Sequence, residues 1–328
     1  MHPSRPASPA GRWRLHAAYL GLLLFMVIAA VVYDGVRREN AGAAVIPLAE
    51  PPGPSAGVPT TAPAMSSPPA MSPTPATSPT PATSPPPEPT SAEGELRLRV
   101  ATFNIASGRG TDGRTDLART LETLQRALPL DVVGLQEVRQ GWFGGVSQAG
   151  ELAASLVMRW ADVPSERRWW REHFGNAVLT RGAGEEVLRL PLPQTQERGQ
   201  RNVAVLRTRL LNDPHGRAVT VLVTHIDRRV DQPAQLRFVT SLFRSVEPPA
   251  VLLGDLNVTR DHPLLRELLQ DSDVADAAAG FPGLDTPGRI DHILVRGLRP
   301  VAAGRVDLGA SDHPLIWAEL ALPPQDTP

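Results

Sequence analysis

The chain has 328 residues and a formal net charge of −1. That length suits one large domain plus additional segments, and the balance of charge leaves no global positive field of the kind that drives non-specific nucleic-acid binding. With no cysteine in the sequence, disulfides, thiolate metal sites and cysteine nucleophiles are excluded.

In chain order, residues 1–14 carry Arg5, Arg12 and Arg14 and precede an apolar run, LHAAYLGLLLFMVIAAVVY, over residues 15–33. A membrane-spanning helix needs about 20 such residues. The run is predicted to be a single transmembrane signal-anchor helix. Arginines concentrated on its N-terminal side predict a short cytoplasmic segment at 1–14 and the remainder of the chain outside the cytoplasm, tethered to the cell membrane. Two alternatives stand beside this. Small residues at Ala41, Gly42 and Ala43 suit cleavage of a signal peptide, which would leave a secreted protein. A buried core helix is the other.

Residues 34–94 are rich in Pro, Ser, Thr and Ala and contain the repeat SPTPATSPTPATSPPP at 72–87. Such a stretch cannot bury enough apolar surface to offset chain entropy, so a disordered Pro-rich linker is predicted over 34–94.

From residue 95 the pattern changes. Leu96, Leu98, Val100 and Thr102 alternate toward Asn104 as in a half-buried strand. Leu117, Leu121 and Leu124 repeat at helical spacing after Asp116, and residues 131–136 (DVVGLQ) form a short apolar strand before Glu137. Helices are predicted at 146–160, 232–245 and 262–270. Strands are predicted at 176–180, 203–210, 218–224, 250–253, 290–295, 301–306 and 315–320. Strands outnumber helices and do not alternate strictly with them, which predicts mixed sheets with helices outside. The domain is bounded at 95–323, with a short tail at 324–328.

Polar residues suited to metal or phosphate chemistry recur at the ends of these apolar strands. They are Asn104, Glu137, Asn176, His225, Asp255, Asn257, Asp291, Asp312 and His313. Each alone has a bland explanation as a cap, an Asx turn or a solvated strand end. Together they would require many separate coincidences, and strand ends on one edge of a sheet face a common crevice. The set offers oxygen and imidazole but no thiolate, which selects hard cations such as Mg²⁺, with Mn²⁺ or Ca²⁺ as alternatives.

The motifs LQEV at 135–138, GDLN at 254–257 and SDH at 311–313, in this order, resemble those of the endonuclease/exonuclease/phosphatase (DNase I-like) superfamily. The resemblance covers about residues 99–319. It implies a four-layer α/β/β/α sandwich with the site at one end of two sheets. It implies that Glu137 is the main metal ligand, with Asn104 and Asp312 near the metal. Asp255 would orient and deprotonate the attacking water, with Asn257 holding phosphate or water. His313 would contact the scissile phosphate, Asp291 would fix its tautomer, and His225 would stabilise charge developing on phosphate. Asn176 and Arg198 are candidate substrate contacts, with Arg201 beside them. The segment RRWWR at 167–171 suits either base stacking, a lipid headgroup surface or a helix packing its tryptophans inward.

The expected activity is metal-dependent hydrolysis of a phosphoester by a membrane-tethered, extracytoplasmic domain. The substrate is a lipid headgroup, a nucleotide or a nucleic acid, and no protein partner is evident. The rival readings are a DNA endonuclease of the same fold and a catalytically inactive binding module.

Overall fold

A computed structural model describes residues 43–51, 96–140, 147–166, 173–184, 186–195, 201–209, 213 and 216–322. The apolar run at 15–33, most of the linker, the RRWWR segment, Arg198 and the C-terminal tail lie outside the described residues. Among the described residues no helix is long and apolar enough to cross a membrane.

Among the described residues thirteen strands and four α-helices follow one another. They are β1 (Ala44–Pro47), β2 (Arg97–Asn104), α1 (Leu117–Arg126), β3 (Val132–Gln140), α2 (Gln148–Leu156), β4 (Arg159–Glu166), β5 (His173–Thr180), β6 (Glu186–Pro191), β7 (Asn202–Arg209), β8 (Ala218–His225), α3 (Gln232–Ser245), β9 (Ala250–Asp255), α4 (Pro263–Leu268), β10 (Val274–Asp276), β11 (Asp291–Arg296), β12 (Arg299–Val306) and β13 (Leu315–Ala321). They build a seven-stranded sheet, ordered β1-β6-β7-β8-β9-β11-β10, and a six-stranded sheet, ordered β12-β13-β2-β3-β5-β4.

Three apolar clusters show how the layers stack. The central cluster joins the sheets through Leu98, Val100 and Val132 on one side and Val221, Val223 and Val251 on the other. A second packs Leu124 of α1 and Leu152 of α2 on the outer face of the six-stranded sheet. A third packs Leu236, Val239 and Phe243 of α3 and Leu265 of α4 on the outer face of the seven-stranded sheet. Strands covered on both faces read as continuous apolar runs, which is why AVLL at the start of β9 shows no alternation. At Gly134 in β3 an added Cβ would lie 2.9 Å from a Val223 methyl of the facing sheet. Glycine is what lets the sheets approach there.

The sequence boundaries hold for α3 and shift elsewhere. The helix expected at 146–160 ends at Leu156, where Val157 caps it in a left-handed conformation. Trp160 then lies in β4, an edge strand that helical spacing had absorbed into the preceding element. Strands β4, β6 and β10 were not anticipated.

The start of the linker is also different from expectation. Residues 44–47, assigned to the disordered stretch, form β1 and pair antiparallel with β6. Ala49 then exchanges backbone hydrogen bonds with Trp160 at the edge of the other sheet, at 2.7 and 3.1 Å. Leu48 is buried and Ile46 packs against the central cluster. Ile46 and Leu48 supply what the proline-rich repeat lacks, namely apolar side chains for the open edge between two sheets.

Candidate active site

Among the described residues two strand pairs are parallel, β2 with β3 and β8 with β9. Their carboxyl ends lie together, and the site is built on them. Asn104 ends β2, His225 ends β8 and Asp255 ends β9. Asp291, the first residue of antiparallel β11, pairs in register with Asp255. His313 precedes β13, which runs antiparallel to β2. The topology therefore delivers five distant residues to one end of the sandwich, the usual place for a ligand crevice.

Local backbone irregularities aim the side chains. The β3–β5 register shifts between Leu135 and Val138, and Glu137 within that bulge has φ 58°. A bulge re-aims one side chain out of the strand's alternation. Ala106 and Ser107, just after Asn104, also have positive φ, and so does Asn257. Non-glycine residues in this region carry strain of about 1–3 kcal/mol each, and here they gather around one crevice. Ser107 donates its hydroxyl to the Glu137 carbonyl at 3.1 Å. Gln148 accepts from the Arg139 amide at 2.9 Å and donates to the Ser107 carbonyl at 2.8 Å. Gln148 thus ties β3 just past the bulge to the Ser107 loop that holds the Glu137 carbonyl, a role with no sequence signal.

Asn104 is the hub. Its amide nitrogen donates to Glu137 Oε1 at 3.3 Å and to Asp255 Oδ2 at 3.2 Å. The two carboxylates therefore lie within about 6.5 Å of each other. Asp255 Oδ1 accepts from the Asn257 backbone amide at 2.9 Å, and the Asn257 side chain donates to the Ile226 carbonyl. Gly254 admits this arrangement, since a Cβ there would fall 2.2 Å from the Thr224 carbonyl oxygen.

The two histidines flank Asp255 in different states. Arg201 donates to His225 Nδ1 at 3.2 Å, so the proton sits on Nε2, which points at Asp255 Oδ2 from 3.4 Å. Burial, reinforced by the Arg201 charge, holds His225 well below the ordinary histidine range. The contact with Asp255 is therefore that of a neutral imidazole and not an ion pair. Burial works to lower His313 as well. There, however, the hydrogen bond and charge of Asp291, with Asp255 and Asp312 nearby, outweigh it and push His313 up to about 9. His313 Nδ1 lies 2.8 Å from Asp291 Oδ2, and its Nε2 lies 3.9 Å from Asp255 Oδ2. Burial, followed by the Asp291 charge, raises Asp255 itself to about 6. Two carboxylates and a neutral and a charged imidazole thus share one dry crevice.

The remaining predicted residues are placed differently. Asp312 is exposed, and its carboxylate accepts from Ser311 Oγ at 3.3 Å. Asn176 is buried, and its amide nitrogen is spent on Asn202, at 3.0 Å to the side-chain oxygen. Asn202 in turn donates to Pro164 O and Ser165 Oγ, and its carbonyl accepts from Thr224. This network ties β5, β7 and β8 together below His225. Asn202 was missed because it is the first residue of β7 and stands just before the apolar run read as that strand.

Among the described residues, one oxygen of Asp255, one of Asp291 and a nitrogen of His313 lie within 4.8 Å of one another, close enough to hold an ion. The short Asp291–His313 bond argues against His313 as a ligand, because it keeps that ring protonated. The donor set on the Asn104 side fits a hard cation better. Glu137 and Asp255 converge there, Asp291 Oδ1 is buried without a hydrogen-bond partner, and the Asp291 charge that adds to burial in lifting Asp255 is the kind a divalent cation offsets.

Residues 101–313 match the model of the Endonuclease/Exonuclease/phosphatase family. The chain belongs to this family. Solved structures agree in fold. An endonuclease/exonuclease/phosphatase from Beutenbergia cavernae is 24% identical with a TM-score of 0.55, over 69% of this chain and 72% of that one. The human Nocturnin catalytic domain with bound sulfate anion is 15% identical with a TM-score of 0.53, over 69% and 96%. TDP2 from D. rerio, complexed with single strand DNA product, is 17% identical with a TM-score of 0.50, over 68% and 98%. No match was found among curated proteins. The two mixed sheets of this fold share one end, where Asp255, Asp291 and His313 gather.

Proposed function

We propose that this protein is a divalent-metal-dependent phosphoesterase whose domain is held outside the cytoplasm by the N-terminal apolar run. One observation carries the reading: a single amide, Asn104, joins the Glu137 and Asp255 carboxylates while a neutral and a charged histidine flank Asp255.

Each group has a role that follows from its state. Asp255, lifted to about 6, is ionised at neutral pH yet basic enough to accept a proton from an attacking water. The Asn257 amide and Asn104 fix its two oxygens, so the lone pairs are aimed. His225 donates from Nε2 and, being neutral, adds no charge that would quench that base. His313, protonated through Asp291, offers a cationic N–H to a phosphate oxygen and strengthens its hold as charge develops there. Glu137, with Asp255 or the unpartnered Asp291 oxygen, would hold the cation, Mg²⁺ in our reading, with Mn²⁺ or Ca²⁺ as alternatives, while the Asn104 amide would keep the carboxylates facing one another. When bound, such an ion neutralises phosphate oxygens during displacement. Asp312 is a candidate for the exposed side of the site and Asn176 for its support, and Arg198 remains a candidate substrate contact.

The testing experiment uses the full chain in detergent. It is assayed with Mg²⁺ and with EDTA against bis(p-nitrophenyl) phosphate, plasmid and single-stranded DNA, RNA, nucleotides and phospholipids, beside Asp255→Asn. Metal-dependent turnover that the variant lacks supports the reading. EDTA-insensitive turnover, or none on any phosphoester, overturns it. A DNA substrate is the second reading, favoured by Arg201 at the site and by the exposed Arg228 and Arg229. DNA turnover alone would select it.

A further inference from the structure

The docking of β1 changes the length of the tether. A linker running to residue 94 would let the domain wander far from the membrane. With β1 seated in the sheet from Ala44, only ten residues, 34–43, separate it from the end of the apolar run at Tyr33. Ten residues span at most about 35 Å, roughly the size of the domain itself.

The direction of β1 says which end of the domain is held. Ala44 pairs with Arg189, Arg189 with Ala204, and Ala204 with Val223. Val223 lies two residues before His225 in β8. The chain therefore enters the sandwich at the catalytic end, three strand spacings from β8, or roughly 15 Å across the sheet. β1 then runs away from that end.

The surface at this end has the matching chemistry. The loop leaving β8 exposes Arg228, Arg229 and Val230 in succession, with Val230 64% exposed. Arg228 is close enough for its charge to act on His225. Leu308, on the loop leading to His313, is also exposed. Beside the entry point, Val45 and its cross-strand neighbour Leu188 are exposed together. Arginines beside exposed aliphatic side chains suit a lipid headgroup layer, where the apolar part sits below the charge.

We propose that the short tether holds the catalytic crevice against the bilayer that carries the apolar run, and that the substrate is a phosphoester headgroup in that bilayer. The inference rests on the phosphoesterase reading for its substrate, but its geometry stands separately. A soluble phosphoester needs no such orientation, whereas a lipid phosphate lies in a plane the crevice must face.

The test uses the full chain in vesicles of phosphatidylcholine, phosphatidylethanolamine and phosphatidylglycerol. One form is native in length, and another carries about 40 Gly/Ser residues inserted after Asn40. The absence of cysteine allows a single fluorophore at Val230→Cys, on the catalytic end, or at Glu247→Cys, exposed at the opposite end. Headgroup spin-labelled lipid should quench the first at least about twofold more than the second, and the insertion should erase the difference. The insertion should also cut release of phosphorylated headgroup from the vesicles by about tenfold, the fall expected when a tether lengthens fivefold. Turnover of soluble bis(p-nitrophenyl) phosphate should not change. Equal quenching at both positions, with turnover of the soluble diester intact, overturns the orientation alone. Preferential quenching with no turnover of either substrate overturns the phosphoesterase reading. Turnover of DNA but not of vesicle lipid overturns the substrate assignment, and a mature N-terminus at or near Ala44 overturns the tether.

Discussion

His313 Nδ1 lies 2.8 Å from Asp291 Oδ2, joining the loop before β13 to the first residue of β11. The bond keeps His313 cationic at neutral pH against the opposing effect of burial. Asp291→Asn should return the His313 titration from about 9 toward or below the ordinary histidine value, read by NMR of the imidazole protons. The sign for stability follows. A histidine whose folded pKa is raised from 6.5 to about 9 stabilises the fold fully below 6.5 and loses that contribution as pH climbs through 9. The melting temperature of the metal-free native protein should fall over that window, and that of His313→Gln should fall less. Parallel melting curves for the two would remove the assigned charge state.

Asp255 titrates in the opposite half of the pH range. Its folded pKa is raised from 3.8 to about 6, first by burial and then by Asp291. The metal-free protein should therefore lose stability as pH rises from about 4 to about 6, as the buried carboxylate is forced to ionise. Catalytic turnover should require the ionised form, so Asp255→Asn should lower kcat by at least about 10³-fold with the fold retained. Near-native kcat in a folded variant would mean that another group takes the proton.

Gln148 and Asn104 act through position. Gln148→Ala removes both hydrogen bonds that tie β3 just past the Glu137 bulge to the Ser107 loop. The expected result is Mg²⁺ affinity weakened by about 10- to 100-fold, as for other residues supporting a metal ligand. Activity at saturating Mg²⁺ should largely recover. A purely structural role would instead lower the melting temperature without shifting the Mg²⁺ dependence. Asn104→Ala leaves the Glu137 and Asp255 carboxylates without the donor they share, and saturating Mg²⁺ should not restore kcat.

The strand β1 can be tested by truncation. A fragment beginning at residue 42 keeps Ile46 and Leu48, whereas one beginning at residue 91 loses both from the central cluster. Burial of two such side chains contributes about 3–6 kcal/mol. The shorter fragment should melt well below the longer one. Equal melting temperatures would show that β1 does not dock in solution.

Much of this is legible in the sequence. Asn104, His225 and Asp255 close apolar runs and Asp291 opens one, and each run gives both the strand and the point where its terminal side chain emerges. The central strands were easiest because two-sided burial leaves no polar positions to confuse the pattern. Edge strands were hardest. Trp160 and its neighbours in β4 alternate too weakly to separate from helix α2, and AVIP in β1 is too short to stand out beside a proline-rich repeat. Roles that depend on backbone direction were also hidden. Nothing in the sequence says that Glu137 adopts a positive φ, that Gln148 holds it there, or that Asn176 spends its amide on Asn202. Those facts depend on which strands become neighbours across the sandwich.

The account depends on Glu137 holding one divalent ion beside Asn104 and Asp255. Electron paramagnetic resonance of Mn²⁺ added to the full chain in detergent measures this directly. The prediction is one bound Mn²⁺ per native chain, affinity lowered at least about tenfold in Glu137→Gln, and displacement by Mg²⁺. Native-strength binding by a Glu137→Gln, Asp255→Asn double variant would place the ion elsewhere and contradict the account.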